Sequence, residues 1–423
     1  MRVLDLTNFY SSTGGGVRSY LRQKMRWLPR FGVERHVLVL PSSVDQTHGR
    51  GSTRIYEIAG PRVPGQPSYR ALIRPARIWS ILSREAPDVV EIGSPYILPP
   101  MVIPAARVLG SRCVGFLHSD YPRAYFGPWG DRLQARTGLP LGRLIGGIAE
   151  CHMRATYRAM DGTCVAVQSI LHRLERLGVP RLYHTPLGVD LNQFHPCRRD
   201  ATLAKRLGIV DGRPWCLCVA RLSREKGIET LLAAMQLAHR DRRLELVLVG
   251  DGPRRPDIVR LEADHPWLHW IPQLDEPACL AELYASADCL VAPGVAETFG
   301  LAVLEALASG CPVVAADAGA IAEPLAGSDA ALMFEAGNPV DLQRALVRMI
   351  DAPRQPMSAA ARELARGHAW ERTFEVLLAA YDDVLQRRPR RHTSRQPRAD
   401  APSAAITDTP AVRDLTWALG AGS

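Results

Sequence analysis

Glu297 and Glu305 enclose the run Thr-Phe-Gly-Leu-Ala-Val-Leu, and Ala-Leu-Ala-Ser-Gly-Cys-Pro-Val-Val follows them. The preceding apolar run, Cys289 to Ala292, reads as a strand. Phe299, Gly300 and Leu301 are therefore expected at a helix N-terminus, whose unpaired amides attract phosphate or sugar oxygens. Glu305 falls about one turn inside that helix, among Leu304, Ala306 and Leu307, where a carboxylate has few structural reasons to be. Its two oxygens suit a ribose diol, and a buried acid paired within the protein is the competing reading.

A pair of cations, Arg221 and Lys226, stands in Val219-Ala-Arg-Leu-Ser-Arg-Glu-Lys-Gly-Ile, with Arg221 at a strand end and Lys226 at a helix start. Both are expected in the crevice outside the carboxyl ends of a parallel sheet, where two positive charges can neutralise a diphosphate. The competing reading is surface charge, though a lysine at a helix start is disfavoured unless it holds an anion. Gly14-Gly15-Gly16 lies between the first strand and the first helix, removing side-chain bulk where a backbone must approach a ligand. It does not match the G-x-G-x-x-G dinucleotide fingerprint. His118, in Phe116-Leu-His-Ser-Asp120-Tyr-Pro122, ends a strand and is expected to face the same crevice, with Asp120 as a neighbour able to bind an acceptor hydroxyl.

Positioning these groups requires strands alternating with helices. In residues 1–185 the pattern predicts strands at Val3–Thr7, His36–Leu40, Ile55–Ile58, Asp88–Ile92, Arg112–Leu117 and Gly162–Val167. Helices are expected at Val17–Leu28, Ala71–Ser83 and Leu133–Ala159, with Ser169 capping another. Such alternation makes a parallel sheet covered by helices. Thr185 to Pro196 is rich in turn formers and reads as an interdomain connection. A second series then begins: strands at Trp215–Ala220, Leu244–Val249, Leu268–Ile271, Cys289–Ala292 and Pro312–Ala316, interleaved with helices. Further helices are expected after about Val340. The run 387–398, RRPRRHTSRQPR, has six arginines and no acid; with the Ala/Pro/Ser/Thr-rich stretch behind it, 388–423 reads as a basic disordered tail.

The 423 residues, 47% hydrophobic and 22% charged, suit two domains. No window offers about 20 continuous apolar residues for a spanning helix. Met1 to Leu6 alternates and carries Asp5, so it reads as a strand and not as a signal peptide. The 9 cysteines are scattered through apolar runs, as in a reducing compartment, which implies the cytoplasm, and Cys216-x-Cys218 reads as structural. Charge is uneven: residues 1–185 hold 25 Lys and Arg against 12 Asp and Glu, and 186–386 hold 20 against 28. The basic half suits an acidic ligand or an anionic membrane surface. Arg18, Arg22, Arg26 and Arg30, at four-residue spacing beside Lys24, are expected to form one stripe that brings the protein to such a surface. Nucleic acid is not expected, since neither aromatic interleaving nor a reading-helix motif accompanies the charge.

With its E-x7-E and R-x4-K pairs and their flanks, the chain resembles the retaining glycosyltransferases of family 4, the glycosyl transferases group 1, over nearly all of residues 1–385. The resemblance implies an α/β, GT-B fold: two Rossmann-like domains facing each other across a cleft. Residues 1–185 would form the acceptor-side domain, 186–370 the nucleotide-sugar domain, and 371–387 a helix crossing back to the first. It also implies that Glu297 faces the donor sugar and Glu305 holds the nucleotide ribose. Arg221 and Lys226 would stabilise the leaving diphosphate, and His118 would contact the donor hexose. Gly15 and Gly16, with Phe299, Gly300 and Leu301, would line the donor.

The expected function is transfer of a hexose, with retention, from a UDP- or GDP-linked sugar to a hydroxyl of a glycan or lipid-linked glycan. The enzyme would work in the cytoplasm or peripherally on the inner face of the membrane. No D-x-D pair occurs, so no metal and no cofactor are expected. Two alternatives remain open: a sugar-nucleotide epimerase of the same architecture, and a non-catalytic sugar-nucleotide-binding partner in polysaccharide assembly.

Overall fold

A computed structural model describes residues 1–10, 15–63, 66–118, 122, 138, 141–274, 276–295 and 300–387. The first sheet is built from β1 (Arg2–Leu6), β2 (Arg35–Ser42), β3 (Gln46–Arg50), β4 (Thr53–Ala59), β7 (Val89–Ile92), β8 (Arg112–Leu117), β9 (Gly162–Val165) and β10 (Leu182–His184). Their order is β10-β9-β8-β7-β1-β2-β4-β3, with every pairing parallel except β3 to β4. A small hairpin, β5 (Arg62–Val63) with β6 (Gln66–Arg70), stands apart. Helices α1 (Gly16–Trp27), α2 (Pro75–Glu85), α3 (Leu98–Val108), α4 (Leu141–Arg158) and α5 (Gln168–Arg176) link these strands.

The second sheet contains β11 (Trp215–Val219), β12 (Glu245–Val249), β13 (Leu268–Ile271), β14 (Cys289–Ala292), β15 (Val313–Ala316) and β16 (Ala331–Phe334), ordered β13-β12-β11-β14-β15-β16 and wholly parallel. Its strands are nearly continuous apolar runs because helices cover both faces. Those helices are α6 (Ile228–Arg242), α7 (Arg255–Asp264), α8 (Pro277–Ser286), α9 (Leu301–Ala308), α10 (Pro339–Asp351) and α11 (Arg354–Arg366). Cys216 and Cys218 are buried in β11. Finally α12 (Trp370–Gln386) packs on α1, β8 and β9 of the first sheet. The chain crosses between sheets twice, side by side: Val189 N donates to His368 O at 2.7 Å, and a Cβ at Gly188 would come within 2.5 Å of Trp370 N.

Two expectations are corrected here. Ser169 does not cap α5, which begins at Gln168 without a side-chain cap of its own. Glu323 of the second half caps it instead, accepting from Gln168 N and Ser169 N at 2.9 Å each; a carboxylate suits the positive end of a helix. The arginines of α1 do not form one exposed stripe. Each four-residue step turns the side chain a further ~40° around a 3.6-residue helix, so the row winds off one face. Arg18 is buried and Arg22 half-buried, while Arg26 is exposed and pairs with Asp190 at 2.6 Å. Arg30 lies beyond α1, its guanidinium 4.8 Å from the Trp27 ring centroid. Lys24 is fully buried, with Nζ 2.6 Å from Asp5 Oδ1 and 3.0 Å from Glu91 Oε2.

Candidate active site

In the second sheet the order reverses between β11 and β14, which leaves a crevice at their carboxyl ends. Arg221 follows β11 by two residues, and Lys226 ends the short 3-10 turn Arg224–Lys226; both are half-buried. Backbone contacts that only glycines permit hold this loop. Gly227 adopts φ 69°, and a Cβ there would come within 2.6 Å of Pro293 O; a Cβ at Gly294 would stand 3.0 Å from Lys226 Cα. On the other side, a Cβ at Gly252 would stand 2.6 Å from Leu222 O, and Leu222 N donates to Asp251 O at 3.0 Å. The loops after β11, β12 and β14 thus form one surface that fixes the backbone between the two cations.

Gly300 opens α9 in the left-handed region, with φ 78°, and a Cβ there would overlap Ile321 Cγ2. Inside α9, half-buried Glu305 accepts from the Tyr284 hydroxyl through Oε2 at 3.1 Å. Burial pushes its carboxyl up to about 7, although the Tyr284 hydrogen bond favours the carboxylate. The acid can accept from a diol, and it exchanges a proton near neutrality.

The first sheet has its own switch point, between β1 and β7. Gly93 follows β7 and His118 follows β8. A Cβ at Gly93 would stand 3.2 Å from His118 Cδ2 and 3.4 Å from Thr7 Cβ, so the ends of β1, β7 and β8 converge there. His118 stacks on Phe116 at a centroid distance of 4.5 Å and meets Tyr20 edge-on at 5.2 Å. Burial pushes the imidazole down to about 3, with Lys24 adding to the effect, so His118 is neutral at physiological pH. It can orient a hydroxyl through a hydrogen bond but does not supply a cation.

The two halves meet where the glycine loop ends. A Cβ at Gly16, the first residue of α1, would stand 3.5 Å from Leu301 Cδ1, the first residue of α9. Neither helix has an acid in its first turn, nor a side-chain cap among the described residues. Two positive helix ends therefore meet, one following β1 and the other following β14, the neighbour of the strand β11 that Arg221 follows.

Gly15, Gly16, His118, Arg221, Lys226, Gly300 and Leu301 are thus placed at strand carboxyl ends or helix starts, and Glu305 about one turn inside α9. Glu297, Phe299 and Asp120 lie outside the described residues, as does Asp275 in the loop near Ile271 to Glu276 expected to meet the base. Sequence reasoning missed Tyr69 on β6, whose ring centroid is 5.9 Å from the Arg221 guanidinium carbon. Nothing in the surrounding Pro67-Ser-Tyr69-Arg pointed to a partner more than 150 residues away.

Comparison with known proteins gives the family and the fold. The family model described as Glycosyltransferase Family 4 matches residues 14–193, and the one described as Glycosyl transferases group 1 matches 213–352. A GDP-mannose-dependent alpha-mannosyltransferase of Mycolicibacterium smegmatis is 31% identical over 396 residues, covering 92% of this chain and 99% of its own. A GDP-mannose-dependent alpha-(1-6)-phosphatidylinositol dimannoside mannosyltransferase of Mycobacterium tuberculosis is 27% identical, with 90% and 95% covered. Among solved structures, sucrose-phosphate synthase of Thermosynechococcus elongatus superposes with a TM-score of 0.72 at 18% identity, over 91% of this chain and 99% of that one. The chain has the GT-B fold and belongs to glycosyltransferase family 4, the glycosyl transferases group 1.

Proposed function

We propose that the protein transfers mannose, with retention, from GDP-mannose to a hydroxyl of a lipid-linked glycan. What carries the reading is the joining of Arg221 and Lys226 to the facing ends of α1 and α9 around one crevice, in a chain alike along its length to a GDP-mannose-dependent enzyme. The donor diphosphate lies at the carboxyl ends of β11 and β14. Arg221 and Lys226 neutralise it as the bond to the sugar breaks, when its charge is growing; stabilisation aimed at that charge lowers the barrier. Glu305 accepts from the ribose hydroxyls. Glu297 faces the mannose, and neutral His118 orients it from the first half.

In a retaining transfer the leaving group and the incoming hydroxyl share one face of the sugar. A diphosphate oxygen then takes the acceptor proton, and no flanking carboxylate pair of the glycosidase kind is needed. With two cations on the phosphates, no metal is obligatory. The acceptor side supports a lipid-linked substrate by likeness to the phosphatidylinositol dimannoside enzyme. Among the described residues no helix is long and apolar enough to cross a membrane.

A donor panel of GDP-mannose, GDP-glucose, UDP-glucose and UDP-galactose, scored by nucleotide released with and without membrane lipid extract, tests this. Release of GDP that depends on the extract supports the reading. A preference for a UDP-sugar overturns the donor, and rapid nucleotide release without any acceptor favours the epimerase.

A further inference from the structure

At the end of the first sheet opposite His118 lies a second concentration of charge. Arg112 begins β8 and His118 follows its end, a separation of about 20 Å at about 3.3 Å per residue. A cavity of about 450 Å³ opens there, lined by Arg107, Arg112, Asp161, Arg181, Val384 and Arg387. The lining comes from five separate places: the end of α3, the start of β8, the turns before β9 and β10, and the end of α12.

The two acids here are already engaged. Asp161 Oδ2 accepts Cys113 N at 3.0 Å, and its Oδ1 stands 3.6 Å from Arg112 Nη1; Asp383 accepts Arg387 Nε at 2.8 Å. Arg107 Nη2 donates to Ala159 O at 2.6 Å and Arg181 Nη2 to Met160 O at 3.5 Å, and neither arginine pairs with a carboxylate among the described residues. Four guanidinium groups thus meet two carboxylates around one cavity, and each keeps further N–H donors in a fork that matches phosphate oxygens. Arg181 also holds φ 54°, in the left-handed region, while its carbonyl accepts Thr163 N at 2.9 Å. A residue with a Cβ seldom adopts that backbone, and such strain gathers at ligand clamps.

We propose that this cavity is a second anion site, which takes a phosphate-bearing ligand on the end of the first half away from the donor crevice. The ligand is a free phosphate or diphosphate, or the headgroup of an anionic lipid. Because Arg387 directly follows the returning helix, whose Val384 also lines the cavity, a bound phosphate ties the end of α12 to the strands of the first sheet.

Calorimetry of the full chain with inorganic pyrophosphate tests it, comparing wild type, R221A/K226A, which disables the donor crevice, and R107A/R181A. We expect R221A/K226A to retain one binding event. R107A/R181A should lose that event by about tenfold or more while keeping wild-type affinity for GDP-mannose, and R107K/R181K should restore it in part. Co-sedimentation with phosphatidylglycerol and with phosphatidylcholine vesicles identifies the source. Weaker phosphatidylglycerol binding by R107A/R181A points to a lipid headgroup, whereas unchanged vesicle binding with lost pyrophosphate binding points to a free phosphate. The proposal fails if R221A/K226A binds neither pyrophosphate nor anionic vesicles, or if R107A/R181A binds both as wild type does.

Discussion

Lys24 on α1 and Tyr381 on α12 are 357 residues apart in the chain and 2.8 Å apart in the fold. The same ammonium holds Asp5 and Glu91, and the Tyr381 hydroxyl donates to Glu91, so one fully buried cation joins the first strand, the first helix, β7 and the returning helix. Lys24→Met takes the cation from two buried carboxylates and should cost about 3–5 kcal/mol, because breaking a buried pair leaves an uncompensated charge. Tyr381→Phe removes two hydrogen bonds to charged groups, the one accepted from Lys24 and the one donated to Glu91, and should cost at least about 1.5–3 kcal/mol. Denaturant midpoints at constant slope check both; a Lys24→Met protein as stable as wild type would show that the cluster does not hold α12 in place.

Arg221→Ala and Lys226→Ala should each lower kcat by a factor of about 100 or more with the fold intact, since each removes a charge from the leaving diphosphate. Steady-state kinetics beside circular dichroism measure this. Near-normal turnover in either folded variant contradicts its place on the phosphates.

Glu305 should make donor binding depend on pH. Its carboxyl is raised to about 7 in the free protein, and accepting two ribose hydroxyls favours the carboxylate, so the bound state holds fewer protons. Affinity should fall as pH drops below about 7, approaching tenfold per unit, and level off above it. Calorimetry of GDP between pH 5.5 and 8.5, on the order of six points, follows the slope. Glu305→Gln should bind more weakly at high pH and lose the slope; an unchanged profile removes the ribose role.

Gly300→Ala places a Cβ on a left-handed residue against Ile321 Cγ2. Backbone strain of roughly 1–2 kcal/mol and overpacking of roughly 1–3 kcal/mol should displace the start of α9. Donor affinity should drop more than the melting temperature does. An Ile321→Ala second change should recover part of it, and no recovery would place the defect elsewhere.

The alternation of buried strands and helices was legible because parallel strands read as short apolar runs: the helix expected at 17–28 is α1, and the strand at 289–292 is β14. The interior helix α3 had no expected counterpart, and its Pro99, Pro100 and Pro104 give the segment little helical signal. Yet Pro99 and Pro100 fall in its first turn, where no N–H partner is lost. The edge strand β3 and the helix α7 carry too few apolar residues to announce themselves. Arg221, Lys226, Gly300 and Glu305 were readable because charges and glycines at strand ends have local causes. The Lys24 cluster was not: positions 5, 24, 91 and 381 share no periodicity, and only the packing of α12 on α1 joins them.

The central claim is tested most directly by incubating the purified chain in excess EDTA with GDP-mannose and vesicles carrying a phosphatidylinositol-linked mannoside, then reading the anomeric configuration of the new linkage by NMR. The account predicts a mannosylated lipid with the donor's own anomeric configuration, formed without added metal. An inverted linkage, a product that appears only when magnesium or manganese is restored, or transfer from UDP-sugars alone would contradict it.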